Sequence, residues 1–214
     1  MSDSRERHRS GSRRPMRFAY ADPPYLGKAE YYKAHHDDAM LWDDPATHQN
    51  LIDRLVDEYP DGWVMSLHES SLRVILPMCP QHARVGAWIA ERPRFGGALS
   101  VQRHFEPVIW MGGRTWKDTG SRTADYCITK QQPLPPGEPR YRLTREKIRL
   151  GEIFVGRKPR AFAIWVFDLL GAGKGDILDD LFPGSGAIRA AWAERVGGDP
   201  QLPLTPLESA VGAK

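Results

Sequence analysis

Cysteine is scarce in this chain: there are two among 214 residues, Cys79 and Cys127, with no C-x-x-C spacing and no histidine pattern beside them. That argues against a disulfide framework or a cysteine-held zinc site and makes a reducing cytoplasm the expected compartment. Long apolar runs are missing too. No stretch approaches the ~20 residues of a membrane helix, and the N-terminus has no apolar signal core, so no membrane role is expected. Charge of one sign is also lacking, since 30 Lys and Arg against 27 Asp and Glu leave a net charge of +3. That balance is compatible with nucleic acid without demanding it. The 41% hydrophobic content suffices for one domain with a sizeable core. Proline and glycine are plentiful, and their placement is informative.

Asp22-Pro23-Pro24-Tyr25 follows the apolar run Phe18-Ala19-Tyr20-Ala21. This reads as a short buried strand ending in a stiff turn, because consecutive prolines fix their own φ and push Asp22 and Pro23 into extended conformations. Prolines have no N–H, so the turn offers mainly acceptors, the Asp22 carboxylate and the Pro23 carbonyl. Two acceptors suit the two hydrogens of an amino group. Tyr25 adds a flat face on which a base could stack, worth about 1–3 kcal/mol.

A second pattern lies near the other end. Ile177 to Phe182 reads as a strand, Gly184-Ser185-Gly186 as a tight turn, and Ala187 to Arg195 as a helix. Strand, glycine turn and helix N-terminus form the ligand crevice of doubly wound sheets. The glycines allow close backbone approach, and the open N–H groups favour an anion.

With both patterns in one chain, the sequence resembles the DNA amino-methyltransferases, which move a methyl group from S-adenosylmethionine to an exocyclic base nitrogen. Asp22-Pro23-Pro24-Tyr25 matches the family's catalytic tetrapeptide. Asp180-Leu181-Phe182-Pro183-Gly184-Ser185-Gly186 matches its D-x-F-x-G-S-G cofactor loop, and Lys158-Pro159 matches the K-P segment before that loop. Catalytic motif first and cofactor motif last is the permuted order of one branch. The messenger-RNA adenosine methyltransferases share that order, more distantly, with a tetrapeptide normally ending in Trp.

The resemblance covers roughly residues 17–111 and 157–195. It implies an α/β Rossmann-like methyltransferase fold, with a mixed sheet of about five to seven strands flanked by helices. It implies S-adenosylmethionine as cofactor, held by Asp180, Phe182, Pro183, Gly184, Ser185, Gly186, Lys158 and Pro159, and no metal. The implied reaction is N6 methylation of adenine in DNA, with the base flipped onto Asp22, Pro23, Pro24 and Tyr25, in a restriction-modification or phage setting. N4 methylation of cytosine, whose motif more often begins with Ser, and a non-catalytic nucleic-acid-binding relative are the alternatives. A monomer or homodimer is expected.

Residues 1–17 carry six arginines and are expected to form a disordered tail, with the methyltransferase domain over 18–195 and a tail over 196–214. Residues 26–46 read as a polar loop, and Thr47 as the cap of a helix through Leu51, Ile52, Leu55, Val56 and Tyr59. Gly62 to Leu67, Arg84 to Ala90 and Phe105 to Met111 read as strands, with Pro107 suggesting an edge or bulge. Residues 112–156 form a basic, proline-broken insert, expected to stay out of the sheet and select the DNA target. Arg142, Arg145 and Trp116 are its candidate nucleic-acid contacts, and Arg114 adds to its surplus of cations. Gly171 to Gly175 reads as a connecting turn, and His35-His36-Asp37-Asp38 as a solvated loop. The other six tryptophans fall in apolar surroundings and are expected in the core. Family members usually continue past the last helix into a strand with a ribose-binding acid. Here only 196–214 remains, so either the sheet is truncated beside its cofactor strand or another segment fills that edge, and Asp199 is a candidate replacement acid from a loop.

Overall fold

Alternation within Arg17–Ala21, the first strand β1, decides the architecture. Phe18 and Tyr20 enter one apolar core and Ala19 and Ala21 another, so the strand is covered on both faces. A strand buried on both sides belongs in the middle of a sheet between helical layers. The computed structural model describes residues 13–33, 37–94, 103–130 and 157–198. Five further strands join β1: β2 (Gly62–Ser66), β3 (Arg84–Arg94), β4 (Arg103–Gly112), β5 (Tyr126–Thr129) and β6 (Ile177–Asp180). They form one six-stranded sheet in the order β5-β3-β4-β2-β1-β6. β1 runs parallel to β2 and β6, β4 runs antiparallel to β2 and β3, and β5 pairs parallel with β3. The sheet is therefore mixed, as expected.

Among the described residues five α-helices accompany it: α1 (Pro45–Glu58), the short α2 (Leu72–Ile75) and α3 (Trp116–Thr119), then α4 (Arg160–Leu170) and α5 (Ala187–Val196). α1 sets Leu51, Ile52 and Leu55 into the core that holds Ala19, Ala21, Trp63, Met65 and Ile109. α4 and α5 set Phe162, Val166, Phe167, Ile188 and Trp192 into the core that holds Phe18, Tyr20, Val64, Val108 and Trp110. The helix after β1 and the helix after β6 thus cover opposite faces. The neighbouring carboxyl ends of β1 and β6 form the switch point at which such sheets open a crevice.

Several expectations are corrected. The cap of α1 is Asp44, whose carboxylate accepts the Ala46 N–H at 2.9 Å. Pro45 fits the first helical position because its fixed φ suits the turn and no donor is wasted there. Pro107 sits in β4, between two partners, rather than at an edge or bulge; the register shift lies elsewhere, between Ile89 and Arg94. It is tolerated because Ala87 opposite turns its N–H to Asp125 of the β5 side, while Pro107 needs only its carbonyl, which accepts from Leu67 at 3.2 Å. The 26–46 stretch contains two 3-10 turns, Ala29–Tyr32 and Ala39–Asp43, the first tied down by Asp43 accepting from Gly27 at 2.7 Å.

The insert is corrected most. Its first part supplies α3 and the edge strand β5, so it does not stay out of the sheet. Residues 131–156, with Arg142 and Arg145, lie outside the described residues, as do His35, His36, residues 1–12 and residues 199–214. β6 is the last strand on its side among the described residues, and Asp199 falls beyond them. The six tryptophans Trp42, Trp63, Trp88, Trp110, Trp165 and Trp192 are all buried. No helix among the described residues is long and apolar enough to cross a membrane.

Arg114 is not a surface cation. Its guanidinium meets Asp176 Oδ1 at 2.7 Å and donates to the Arg14 carbonyl at 2.8 Å. Asp176 also accepts the N–H groups of Met16 and Gly173, both at 3.0 Å. Removing one partner of a buried ion pair leaves an uncompensated charge. Arg114→Ala is therefore expected to cost about 3 kcal/mol of stability in urea unfolding. Unchanged stability would contradict this assignment.

Candidate active site

The sheet register builds the site. Tyr20 pairs with Asp180, and the Leu181 N–H donates to the Tyr20 carbonyl at 2.9 Å. The tetrapeptide after β1 and the glycine loop after β6 therefore leave the sheet side by side. Pro23, Pro24 and Tyr25 are buried, and the Asp22 side chain keeps 20% of its surface exposed. A partly open acid above buried prolines is what an acceptor site needs.

Asp22 is not alone. The Lys158 ammonium donates to Asp22 Oδ2 at 2.8 Å and Oδ1 at 2.9 Å, and to the Tyr25 hydroxyl at 3.0 Å. The Tyr25 hydroxyl lies 3.0 Å from Asp22 Oδ1 and 3.4 Å from Glu106 Oε2, and its single hydrogen can serve either acid. Glu106 Oε2 is 4.0 Å from Lys158 Nζ. Rings of Tyr25, Trp88 and Phe162 surround the ammonium, with centroids 5.5, 5.6 and 5.9 Å away. Burial, and then the negative charge of Asp22, push the Tyr25 hydroxyl well above its ordinary value, so it stays protonated. His68, just past β2, sets its ring 6.2 Å from that of Tyr25.

On the other side of the switch point, Asp180 is buried, and neither of its carboxylate oxygens has a hydrogen-bond partner among the described residues. Burial, reinforced by the charge of Asp22, pushes its carboxyl up to about 7. Gly184 and Gly186 adopt φ of +43° and +72°, the left-handed region that glycine occupies without strain. A Cβ on Gly186 would meet nothing within 4 Å, so space lies open above the loop. Gly186 starts α5 with no side-chain cap, leaving helix N–H groups for a ligand. Phe182 is anchored against Trp42 at 5.2 Å, fixing the loop from below. Among the described residues, no three His, Cys, Asp or Glu converge to hold a metal ion.

No protein-family profile matches the chain. An 84-residue stretch is 36% identical to the Microprocessor complex subunit DGCR8 of Bos taurus, covering 37% of this chain and a tenth (10%) of that protein. Among solved structures, the crystal structure of the M1.HpyAVI–SAM complex aligns over 86% of this chain and 80% of that one, at 14% identity and a TM-score of 0.46.

Of the residues expected at the site, Asp22 to Tyr25 and Asp180 to Gly186 come together at one end of the sheet. Lys158 also arrives, but its ammonium is bound to the tetrapeptide, not to the glycine loop with which it was grouped; Pro159 serves as the N-cap of α4. Tyr25 does not present an open face: the residue is 6% exposed, drawn inward by the polar partners of its hydroxyl. Trp116 is exposed, with Arg122 5.1 Å from its ring centroid, but it follows Gly112, which pairs with Gly62 at the amino end of β2. That is the opposite end of the sheet from Asp22. Glu106 was missed. The signal was present: with period 2 along β4 it shares a face with Val108 and Trp110, an acid on a buried face.

Proposed function

We propose that this protein transfers a methyl group from S-adenosylmethionine to the N6 amino group of adenine in DNA. The observation that carries the reading is the Tyr20–Asp180 register, which sets an acceptor-rich acid turn beside a glycine loop with an orphaned buried carboxylate. The residues present fit the cofactor. Asp180 offers two unpaired oxygens to its cationic end, the open N–H groups of α5 suit its carboxylate, and the left-handed glycines leave room for it. When bound, the cofactor supplies a methyl group that its sulfonium makes electrophilic.

The chain's own residues do the rest. Adenine's amino lone pair is delocalised into the ring and attacks poorly. Asp22 and the Pro23 carbonyl accept its two hydrogens and favour the tetrahedral nitrogen of the transition state over the flat ground state. The shared position of the two turns lines up donor and acceptor, which lowers the entropic part of the barrier. Flipping the base from its stack costs a few kcal/mol, recovered by contacts in the crevice. Residues 131–156, with Arg142 and Arg145, are the segment we assign to phosphate contact and target choice.

Labelled S-adenosylmethionine and mixed DNA, followed by digestion to nucleosides, test the proposal. Label in N6-methyladenine is expected; label in N4-methylcytosine, or none, would overturn it. Gly186→Val is expected to raise the cofactor's dissociation constant at least about tenfold, because a branched side chain strains the left-handed φ and fills the open space above the loop. Unchanged affinity in calorimetric titration would remove this loop from the cofactor site.

A further inference from the structure

We propose that Glu106 is a positioning residue of this site, acting through Lys158 to keep the Asp22 carboxylate aimed outward; the inference rests on the methyl-transfer reading. Lys158 Nζ is enclosed by three aromatic rings, and its side chain is 4% exposed. An ammonium so enclosed stays charged only with nearby negative charge. Asp22 lies closest, at 2.8 Å, but it must also receive the amino group. A carboxylate has about four acceptor positions. Lys158 takes one on each oxygen and the Tyr25 hydroxyl takes another on Oδ1, which leaves one, on Oδ2, for substrate.

Glu106 supplies the second negative charge without using up that position. Its carboxylate lies 4.0 Å from Lys158 and 3.4 Å from the Tyr25 hydroxyl, on the central strand β4. The ammonium is thus faced by Asp22 and Tyr25 from the turn after β1, by Glu106 and by the ring of Trp88 from the sheet, and by Phe162 from α4. Asp180 of β6 is close enough to feel its charge. With Glu106 present, Lys158 remains charged while sharing Asp22 with an incoming amino group. Without it, Lys158 sheds its proton more easily, and the hydrogen bonds that fix the rotamer of Asp22 lose their charge assistance.

The test is Glu106→Gln, which keeps the shape and an acceptor for Tyr25 while removing the charge. The alkaline limb of the kcat profile is expected to move down by about one pH unit or more, with KM for S-adenosylmethionine unchanged. Glu106→Asp, which keeps the charge one methylene further back, is expected to move it less and in the same direction. It also carries the test if Glu106→Gln does not fold. A second readout needs no turnover. In protein carrying 13C at lysine Cε, the Lys158 resonance, assigned by its loss in Lys158→Met, is expected to titrate lower in both variants. A Lys158 titration and an alkaline limb that stay put in folded variants overturn the proposal. If the wild-type protein transfers no methyl group, the methylation reading fails, and the lysine titration still decides the role of Glu106.

Discussion

Asp22→Ala is expected to lower single-turnover methyl transfer by about a thousandfold or more, with the protein folded and still binding S-adenosylmethionine. One preorganised group aimed at the reacting atom contributes roughly 100- to 10,000-fold. Asp22 is the charged member of its pair of acceptors, so the upper part of that range applies. Folding should survive because Glu106, 4.0 Å from Lys158, still offers the ammonium a counter-charge. Cofactor binding should survive because Asp180 and the glycine loop are built on β6 and α5. Rapid-quench transfer from labelled cofactor, with calorimetry and a thermal melt on the same sample, separates these effects. A folded Asp22→Ala that turns over like wild type would sink the assignment of the acid.

The second large effect concerns Asp180. Burial raises its carboxyl to about 7 from an ordinary 3.8, so between those values the folded protein holds a proton that the unfolded chain has released. Stability is then highest on the acid side, falls as pH rises from about 4, and levels off above about 7 at a cost of roughly 4 kcal/mol. Asp180→Asn removes that slope. Its buried amide has its own unsatisfied groups, at about 1–3 kcal/mol, so a net gain of about 2 kcal/mol is expected at pH 8, reversing to a small loss near pH 4. The same variant should lose cofactor affinity at least about tenfold, since the unpaired carboxylate is the group offered to a cation. Thermal melts of both proteins across that pH range, with calorimetric titration at pH 8, test this. Parallel melting curves with unchanged affinity would show that Asp180 is neither strained nor a ligand. Stability given up at one buried acid is the usual signature of a binding site.

How much of this was legible in the sequence depended on the range of the interaction. β1 and β2 announce themselves because strands covered on both faces are unbroken apolar runs, as in Phe18-Ala19-Tyr20-Ala21 and Trp63-Val64-Met65. α1 and α5 follow from local spacing and from a glycine that ends or starts a helix. The tetrapeptide and the glycine loop are legible because rigid turns are written into adjacent residues.

What lies around those motifs required the fold. Periodicity assigns a residue to a face of a strand but says nothing of which strand lies beside it. Pro107 therefore looked like an edge residue and is central, because the missing donor faces a place where only its carbonyl is needed. Arg114 and Trp116 fall in the basic insert by sequence, yet the antiparallel course of β4 carries the chain to the end of the sheet opposite Asp22 before it reaches them. β5 emerged from a segment read as an insert because strand pairing with β3, not local propensity, made it a strand. The link from Asp22 to Lys158 spans 136 residues. The sequence by itself determined the two turns that define the site and the faces that bury their strands. Only the tertiary structure decided which charges meet there, because charges meet through strand order, and strand order is set by pairing between residues far apart in the chain.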